Sequence, residues 1–524
     1  MATLNSSEYI LTLDAGTGGG RAVLFDCAGK QVGSAHKEWL PKTILEYPGS
    51  QVFDTREAWE TLTYCIKKVV AEANISPTQI IGISATSMRE GMVLYDKDGT
   101  EIWACPNIDA RAAQEVIELL ENRVAERFYN LGGDWLAITS PARFRWIQKH
   151  EPAILEGTAH VNMISDWIIF KLSGNIVTDP TVGSSSGLFN LHERNWSSET
   201  ISLCSLPQSI FPPIYEPATV VGELSKAAAM HAGLKEGTPV VTAGADTQMA
   251  LLGMGSISPG TWGLVGGTFW QLAAISSYPA IDQNFRLRTL CHVTPCSWMT
   301  EGIAFLIGQQ ARWFRDGFCQ PEVEKAHLRG ENPYHLMEKL AAAMPIGANG
   351  VLALFSNIQN SRTWKHPSPS FLNFAIYDPA RTGRAACIRA LWESAAYVTY
   401  GHLSILREIT GSTPERITFS GGSASGFLWP SIVADVLGTD VLIPTVKETA
   451  CLGAAMCVAV ATGRFRSLHE AAEDWVTIER TVESNLDNHH QYMHHYERWK
   501  RVLDESMSLV DRNLVTPMWR APGA

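Results

Sequence analysis

Residues 9–25 read YILTLDAGTGGGRAVLF, and the fold of the whole chain is decided by how this stretch is read. An apolar, β-rich run ends on one carboxylate, Asp14. A turn of Gly16, Thr17, Gly18, Gly19 and Gly20 then leads through Arg21 into a second apolar run. The pattern predicts a β-hairpin whose turn carries chemistry. Glycines let backbone N–H groups approach an anion closely, because no Cβ intervenes. Thr17 adds a hydroxyl, Arg21 a permanent cation, and Asp14 a hard oxygen ligand suited to Mg²⁺. From these residues alone two readings stand: a phosphate and metal site, or an ordinary glycine-rich hairpin.

Working outward, the bulk properties narrow the partners. A chain of 524 residues is long enough for two or more domains with sizeable cores. Its net charge of −11 argues against nucleic acid, which needs a basic face. The ten cysteines form no C-x-x-C pair and read as reduced core thiols. The N-terminus lacks the basic and apolar regions of a signal peptide, and no run approaches the roughly eighteen apolar residues of a membrane span. The expectation is a cytoplasmic protein acting on a small molecule, with neither nucleic acid nor membrane as partner.

After the hairpin, Gln31–Trp39 extends a meander. Asp54 is placed to cap a helix from Thr55 to about Asn74, and residues 79–85 form a buried strand. Strand, helix and strand in that order predict an α/β layer. Ser87-Met88-Arg89-Glu90 falls at that strand's end, where open α/β sheets place ligands; a structural ion pair is the alternative. Asn107, Asp109 and Arg111 open a helix expected to run to about Arg127. Their groups suit polyol hydroxyls, or Asp109 serves as a cap. Residues 178–188 read as a connecting Ser/Gly-rich loop.

From Thr238 the opening pattern returns. A short strand ends at Gly244-Ala245-Asp246, and a second glycine turn, Gly266-Gly267-Thr268, joins two further strands. A third, Gly421-Gly422-Ser423-Ala424-Ser425-Gly426, precedes a helix and suits a nucleotide. Repetition of parts predicts two related lobes with a cleft between them: residues 1–254, residues 255–505, and a tail over 506–524. Residues 280–375 are expected to decorate the second lobe. His489, His490, His494 and His495 read as an exposed polar helix face.

Three familiar loops are excluded by spacing. G-x-x-x-x-G-K-[ST] is absent, Arg21 stands where G-x-G-x-x-G needs its last glycine, and the protein-kinase H-R-D and D-F-G motifs are missing. The residues that remain carry a resemblance. Asp14-x-Gly16-Thr17-x-x-x-Arg21, Arg143-Phe144-x-Trp146-Ile147, Gly244-x-Asp246, Gly267-Thr268, Arg389-x-x-x-Glu393-Ser394 and Gly421-Gly422-Ser423-x-Ser425 occur in the order of the FGGY carbohydrate kinases.

That resemblance implies an α/β, two-lobed actin/hexokinase-like ATPase (ribonuclease H-like) fold closing over ATP and substrate. Asp246 matches the family's catalytic base. Asp14 matches the carboxylate that helps hold Mg²⁺, and Thr17, Gly18 and Arg21 the first phosphate loop. Gly267 and Thr268 match the second, while Gly421, Gly422 and Ser425 match the adenosine loop, with Ser423 inside it. Arg89 and Glu90 match the polyol-binding pair, and Asn107, Asp109, Arg111 and Thr247 are expected around the acceptor. Asn107 falls where glycerol kinases carry tryptophan, and Thr247 where they carry glutamine. These departures favour a longer, more oxygenated acceptor, such as a five-carbon dihydroxydione phosphorylated on its terminal hydroxyl. Another polyol or pentulose kinase, and a non-catalytic ATP-driven switch of the same fold, are the alternatives. Some members of the family suggest regulation by a sugar-transport phosphocarrier.

Overall fold

In the computed structural model the residues described are 8–40 and 42–524. Two mixed sheets organise them. The first contains β1 (Tyr9–Gly16), β2 (Gly19–Asp26), β3 (Gln31–Glu38), β4 (Ile80–Ser87), β5 (Val220–Glu223) and β6 (Pro239–Ala245) in the spatial order β5-β6-β4-β1-β2-β3. β1, β2 and β3 form the antiparallel meander, and β4 and β6 continue the sheet in parallel with β1.

Side-chain alternation explains why β1 and β2 are mostly apolar, with Thr12, Asp14, Arg21 and Asp26 as the polar exceptions. Leu11, Leu13, Ala22 and Leu24 point to one face, where α1 (Thr55–Glu72) and α2 (Ile164–Ser173) pack. Ile10, Val23 and Phe25 point to the other, under α3 (Asp246–Gly253) and α4 (Thr449–Ala461). With both faces covered, polar residues have no solvent side to occupy. Asp54 caps α1 as its sequence position predicts, accepting from the backbone N–H of Glu57 at 3.0 Å.

The second sheet contains β7 (Trp262–Gly266), β8 (Trp270–Ser276), β9 (Arg288–Cys291), β10 (Trp298–Ala304), β11 (Arg416–Ser420), β12 (Asp440–Pro444) and β13 (Ile478–Val482), in the order β9-β10-β8-β7-β11-β12-β13. β7, β8 and β10 run antiparallel, while β11 and β12 continue in parallel. The succession β10-β8-β7-β11-β12 therefore repeats β3-β2-β1-β4-β6, strand for strand.

Two glycines join the halves. A Cβ at Gly253 would lie 2.0 Å from the carbonyl oxygen of Thr449, and one at Gly453 would lie 2.1 Å from that of Met249. α3 and α4 thus touch backbone to backbone, and no larger residue fits at either position. α4 lies between β12 and β13 of the second sheet in the chain yet covers the first.

Several expectations change. The helix predicted to run from Asn107 to Arg127 is two helices, Ala113–Glu121 and Ala125–Gly132, and the cap position of the first is Ala112 rather than Asp109. The loop expected over 178–188 contains the buried helix Pro180–Ser185, capped by Asp179 through the Thr181 N–H. The helix Leu486–Asp511 runs on past position 506, where a tail was expected to begin. Its His489 ring is bonded to the carbonyls of Asp435 and Val436. Among the described residues no helix is long and apolar enough to cross a membrane, and all ten cysteines are free.

Candidate active site

The hairpin turn between β1 and β2 brings its charged groups together. Arg21 Nε lies 3.2 Å from Asp14 Oδ2, and its Nη1 is bonded to Glu448 at the entrance of α4. Glu448 was not foreseen. It comes from the other half of the chain and meets the turn only because α4 crosses beneath the first sheet. Thr17 Oγ1 reaches Asn107 Oδ1 at 3.1 Å, so the glycine-rich turn and Asn107 are neighbours.

Burial pushes the Asp14 carboxyl up to about 6; the Arg21 guanidinium opposes this, and Asp246 and Glu448 add to the rise. Asp14 Oδ1 is buried without a hydrogen-bond partner. An unpaired carboxylate oxygen in reach of two further negative charges fits a divalent cation. Among the described residues no group of three His, Cys, Asp or Glu side chains gathers as a metal cage.

Asp246 is the first residue of α3, at the end of β6. Its Oδ1 accepts from the Thr247 N–H at 2.7 Å and the Thr247 hydroxyl at 3.2 Å. Burial raises its pKa above the usual carboxylate range, with Arg89 opposing and Glu90 adding. The approach to Asp246 is built by the unforeseen helix: the Thr181 hydroxyl donates to Asp179 at 2.5 Å and accepts from Ala245 N at 2.9 Å. A Cβ at Gly244, where φ is +149°, would lie 2.1 Å from that hydroxyl. Asp-Pro-Thr at 179–181 carried the signal, a capping Asp followed by Pro at the first helical position.

Arg89 and Glu90 follow β4, and both are buried. Glu90 has φ +59°, a left-handed conformation unfavourable for a side chain. Arg143 secures it by donating to the Glu90 carbonyl, and also to the carbonyls of Pro106, Asn107 and Asp109 at 3.0–3.2 Å. Arg143 therefore shapes the 89–90 and 106–109 loops at once.

Asp109 and Arg111 turn out to be engaged within the fold. Arg111 lies between the rings of Trp103 and Trp146, at 5.0 and 5.1 Å, and binds Asp109 at 2.8 Å and the Gln51 carbonyl at 2.8 Å. Asp109 Oδ1 also accepts from Gln51 N at 2.7 Å.

Around the second turn, Gly266, Gly267 and Thr268 line a cavity of about 360 Å³ with Gly422, Ser423, Ser425 and Gly426. Gly421 has φ +97°, and a Cβ there would lie 2.4 Å from the Gly266 carbonyl oxygen. The 421–426 loop and the 266–268 turn thus share one wall. Residues 280–375, expected to be decoration, supply the opposite wall: Gly308, Arg312, Tyr334 and Glu338. Glu338 accepts from the N–H groups of Phe427 and Leu428 at 2.7 and 2.6 Å, fixing the helix that follows the 421–426 loop. The floor is aromatic. Trp392 stacks on Trp429 with an interplanar angle of 4°.

Comparison with known proteins agrees with this geometry. Residues 9–253 match the FGGY family of carbohydrate kinases, N-terminal domain, and residues 255–462 its C-terminal domain. The autoinducer-2 kinase of Salmonella paratyphi B is 40% identical over 521 residues, covering 99% of this chain and 98% of that one. The autoinducer-2 kinase of Escherichia coli K12 is 39% identical over 525 residues, covering 99% of each. Among solved structures, ligand-bound xylulose kinase from Lactobacillus acidophilus superimposes with a TM-score of 0.83 at 19% identity, covering 96% of this chain and 98% of that one. Plasmodium falciparum glycerol kinase with ADP gives 0.81 at 18% identity, covering 95% and 98%. These structures share the fold, an actin/hexokinase-like ATPase.

Proposed function

This chain belongs to the FGGY family of carbohydrate kinases, and from that premise we propose that it transfers the γ-phosphoryl group of ATP to the terminal hydroxyl of the linear autoinducer-2 precursor, 4,5-dihydroxypentane-2,3-dione. The observation that carries this reading is the likeness, over nearly the whole length, to autoinducer-2 kinases. Asp246 takes the proton from the attacking C5 hydroxyl; its free oxygen and raised proton affinity suit that task. Arg89, Glu90, Asn107 and Thr247 hold the oxygens of the acceptor. Asp109 and Arg111 act behind them, keeping the 106–109 loop in place.

Thr17, Gly18 and Arg21 grip the phosphates from one side, and Gly267 and Thr268 from the other. Gly421, Gly422, Ser423 and Ser425 carry the nucleoside. Asp14 would hold Mg²⁺, which supplies charge neutralisation on the phosphate oxygens when bound. In-line transfer asks mainly for position and for charge stabilisation, and this cleft offers both. The reading places residues 1–254 and 255–505 as acceptor and nucleotide lobes, in a cytoplasmic enzyme whose phosphorylated product is retained.

The test is an acceptor panel containing the dione, xylulose and glycerol, with ADP release coupled to a spectrophotometric readout. The dione is expected to give the highest kcat/KM. Preference for xylulose or glycerol would reassign the chain to a different member of the family. ATP binding without any acceptor-dependent ADP release would favour a non-catalytic switch.

A further inference from the structure

The acceptor pair Arg89–Glu90 is half of a larger object. Arg89 Nη1 donates to Glu301 Oε1 at 2.6 Å, and Arg288 Nε donates to the same oxygen at 2.5 Å. Arg288 Nη1 donates to Glu90 Oε1 at 2.8 Å, and Arg89 Nε closes the circuit 3.9 Å from that oxygen. The result is a four-membered ring of alternating charge. Asp134 is attached to it, accepting from Arg288 Nη1 at 3.1 Å. All five side chains are no more than 7% exposed.

The two halves of the ring differ in mechanical character. Arg89 and Glu90 lie on a turn after β4, with Glu90 in a left-handed conformation. Arg288 and Glu301 stand directly opposite each other on the paired strands β9 and β10 of the second sheet. A strained turn stays in one conformation only where its surroundings over-determine it, and strand-borne side chains are the more exact support. Two arginines also donate to a single oxygen of Glu301. That crowding of like charge is tolerated because three carboxylates surround the two cations. Glu301 Oε2 remains buried and unpartnered.

We propose that Arg288 and Glu301 are positioning residues for phosphoryl transfer, holding Arg89 and Glu90 in register for the acceptor from the opposite half of the molecule. Neither touches the reacting atoms. The acceptor site is complete only when the second sheet is seated against the first, so the half that carries the nucleotide also sets acceptor affinity. This inference rests on the reading of Arg89 and Glu90 as acceptor ligands.

The experiment compares the full-length variants Glu301→Gln, Arg288→Lys, Arg288→Met and the double variant Arg288→Met/Glu301→Gln, with Arg89→Gln as reference. Acceptor KM, kcat, nucleotide affinity and melting temperature are measured for each. Glu301→Gln keeps the shape, and Arg288→Lys keeps the charge while losing the forked geometry. Both are expected to bind nucleotide as the wild type does and to raise acceptor KM about tenfold or more, with a smaller change in kcat. Each single charge removal changes the net charge of the buried cluster, whereas the double variant restores that net charge and is expected to recover part of the melting temperature, Asp134 having lost its Arg288 partner. It is expected to retain the high acceptor KM, because Arg89 and Glu90 still lack their supports.

Recovery of acceptor KM together with melting temperature would reduce the pair to a structural role and overturn the proposal. So would an unchanged acceptor KM in folded Glu301→Gln and Arg288→Lys while Arg89→Gln raises it. If Arg89→Gln itself leaves acceptor KM unchanged, the acceptor reading of Arg89 fails and takes this inference with it.

Discussion

The two sheets share one strand order but divide the chemistry unequally. The turn after β1 and the helix start after β6 carry Asp14, Arg21 and Asp246, and Glu448 is drawn in from α4. The corresponding turn after β7 and the loop after β11 present Gly266, Gly267, Thr268 and Gly421 to Ser425, with no ionisable side chain. On the proposed reading, the charge that acts on the reacting atoms is concentrated in the first half. On the proposed reading, the second half offers the nucleotide the backbone of two glycine turns and an indole floor, with Arg312 and Glu338 on the facing wall. A duplicated scaffold has thus been specialised by its turns, and its strand order is unchanged.

The largest effect separating the halves is expected from Asp246→Asn. Loss of the base should lower kcat by about 10³-fold. Nucleotide affinity, which the proposed reading assigns to the second half, should remain at the wild-type level in an equilibrium titration; a matching loss of affinity would erase the distinction. Asp14→Asn comes next, with an expected loss in kcat of about 10²-fold and a higher Mg²⁺ requirement in a metal titration. Unchanged dependence on Mg²⁺ would remove Asp14 from the metal site.

Gly421→Ala strikes the second half. Its left-handed φ and the 2.4 Å approach to Gly266 leave no room for a methyl group, so KM for ATP should rise about tenfold or more while acceptor KM moves little. The smallest effect is a shift in the pH profile. A general base must be ionised, so activity falls as pH drops through the pKa of Asp246, and the raised pKa moves that acid limb above the usual aspartate range. Since Arg89 lowers this pKa and Glu90 raises it, Arg89→Gln should move the limb of kcat/KM upward and Glu90→Gln downward. Shifts in the same direction would show that the pair acts on Asp246 by some other route.

What the sequence made legible was local chemistry. The β1–β2 turn, the Asp54 cap and the Asp246 strand end are each written within a few neighbouring residues. The positions that escaped depend on distant pairing. Glu301 has meaning only through its register with Arg288 and the approach of Arg89 from the other half. Glu338 acts on Phe427 and Leu428, and Glu448 on Arg21, through contacts that no local pattern encodes. Asp109 and Arg111 show the opposite case. Their residue types suited an acceptor, but two flanking indoles and the backbone of Gln51 occupy them within the fold. The Ser/Gly-rich run at 183–187 concealed a helix because composition outweighed the Asp179-Pro180 start signal beside it.

The central claim is transfer from ATP to the primary hydroxyl of the dione, with Asp246 as base. Its most direct test is phosphorus and carbon NMR of the product formed from ATP and carbon-labelled dione by the wild-type chain and by Asp246→Asn. The account predicts one phosphate, coupled to the C5 methylene carbon, formed by the wild type and essentially absent with the variant. A phosphate on C4, no phosphorylated dione at all, or undiminished product from Asp246→Asn would contradict it.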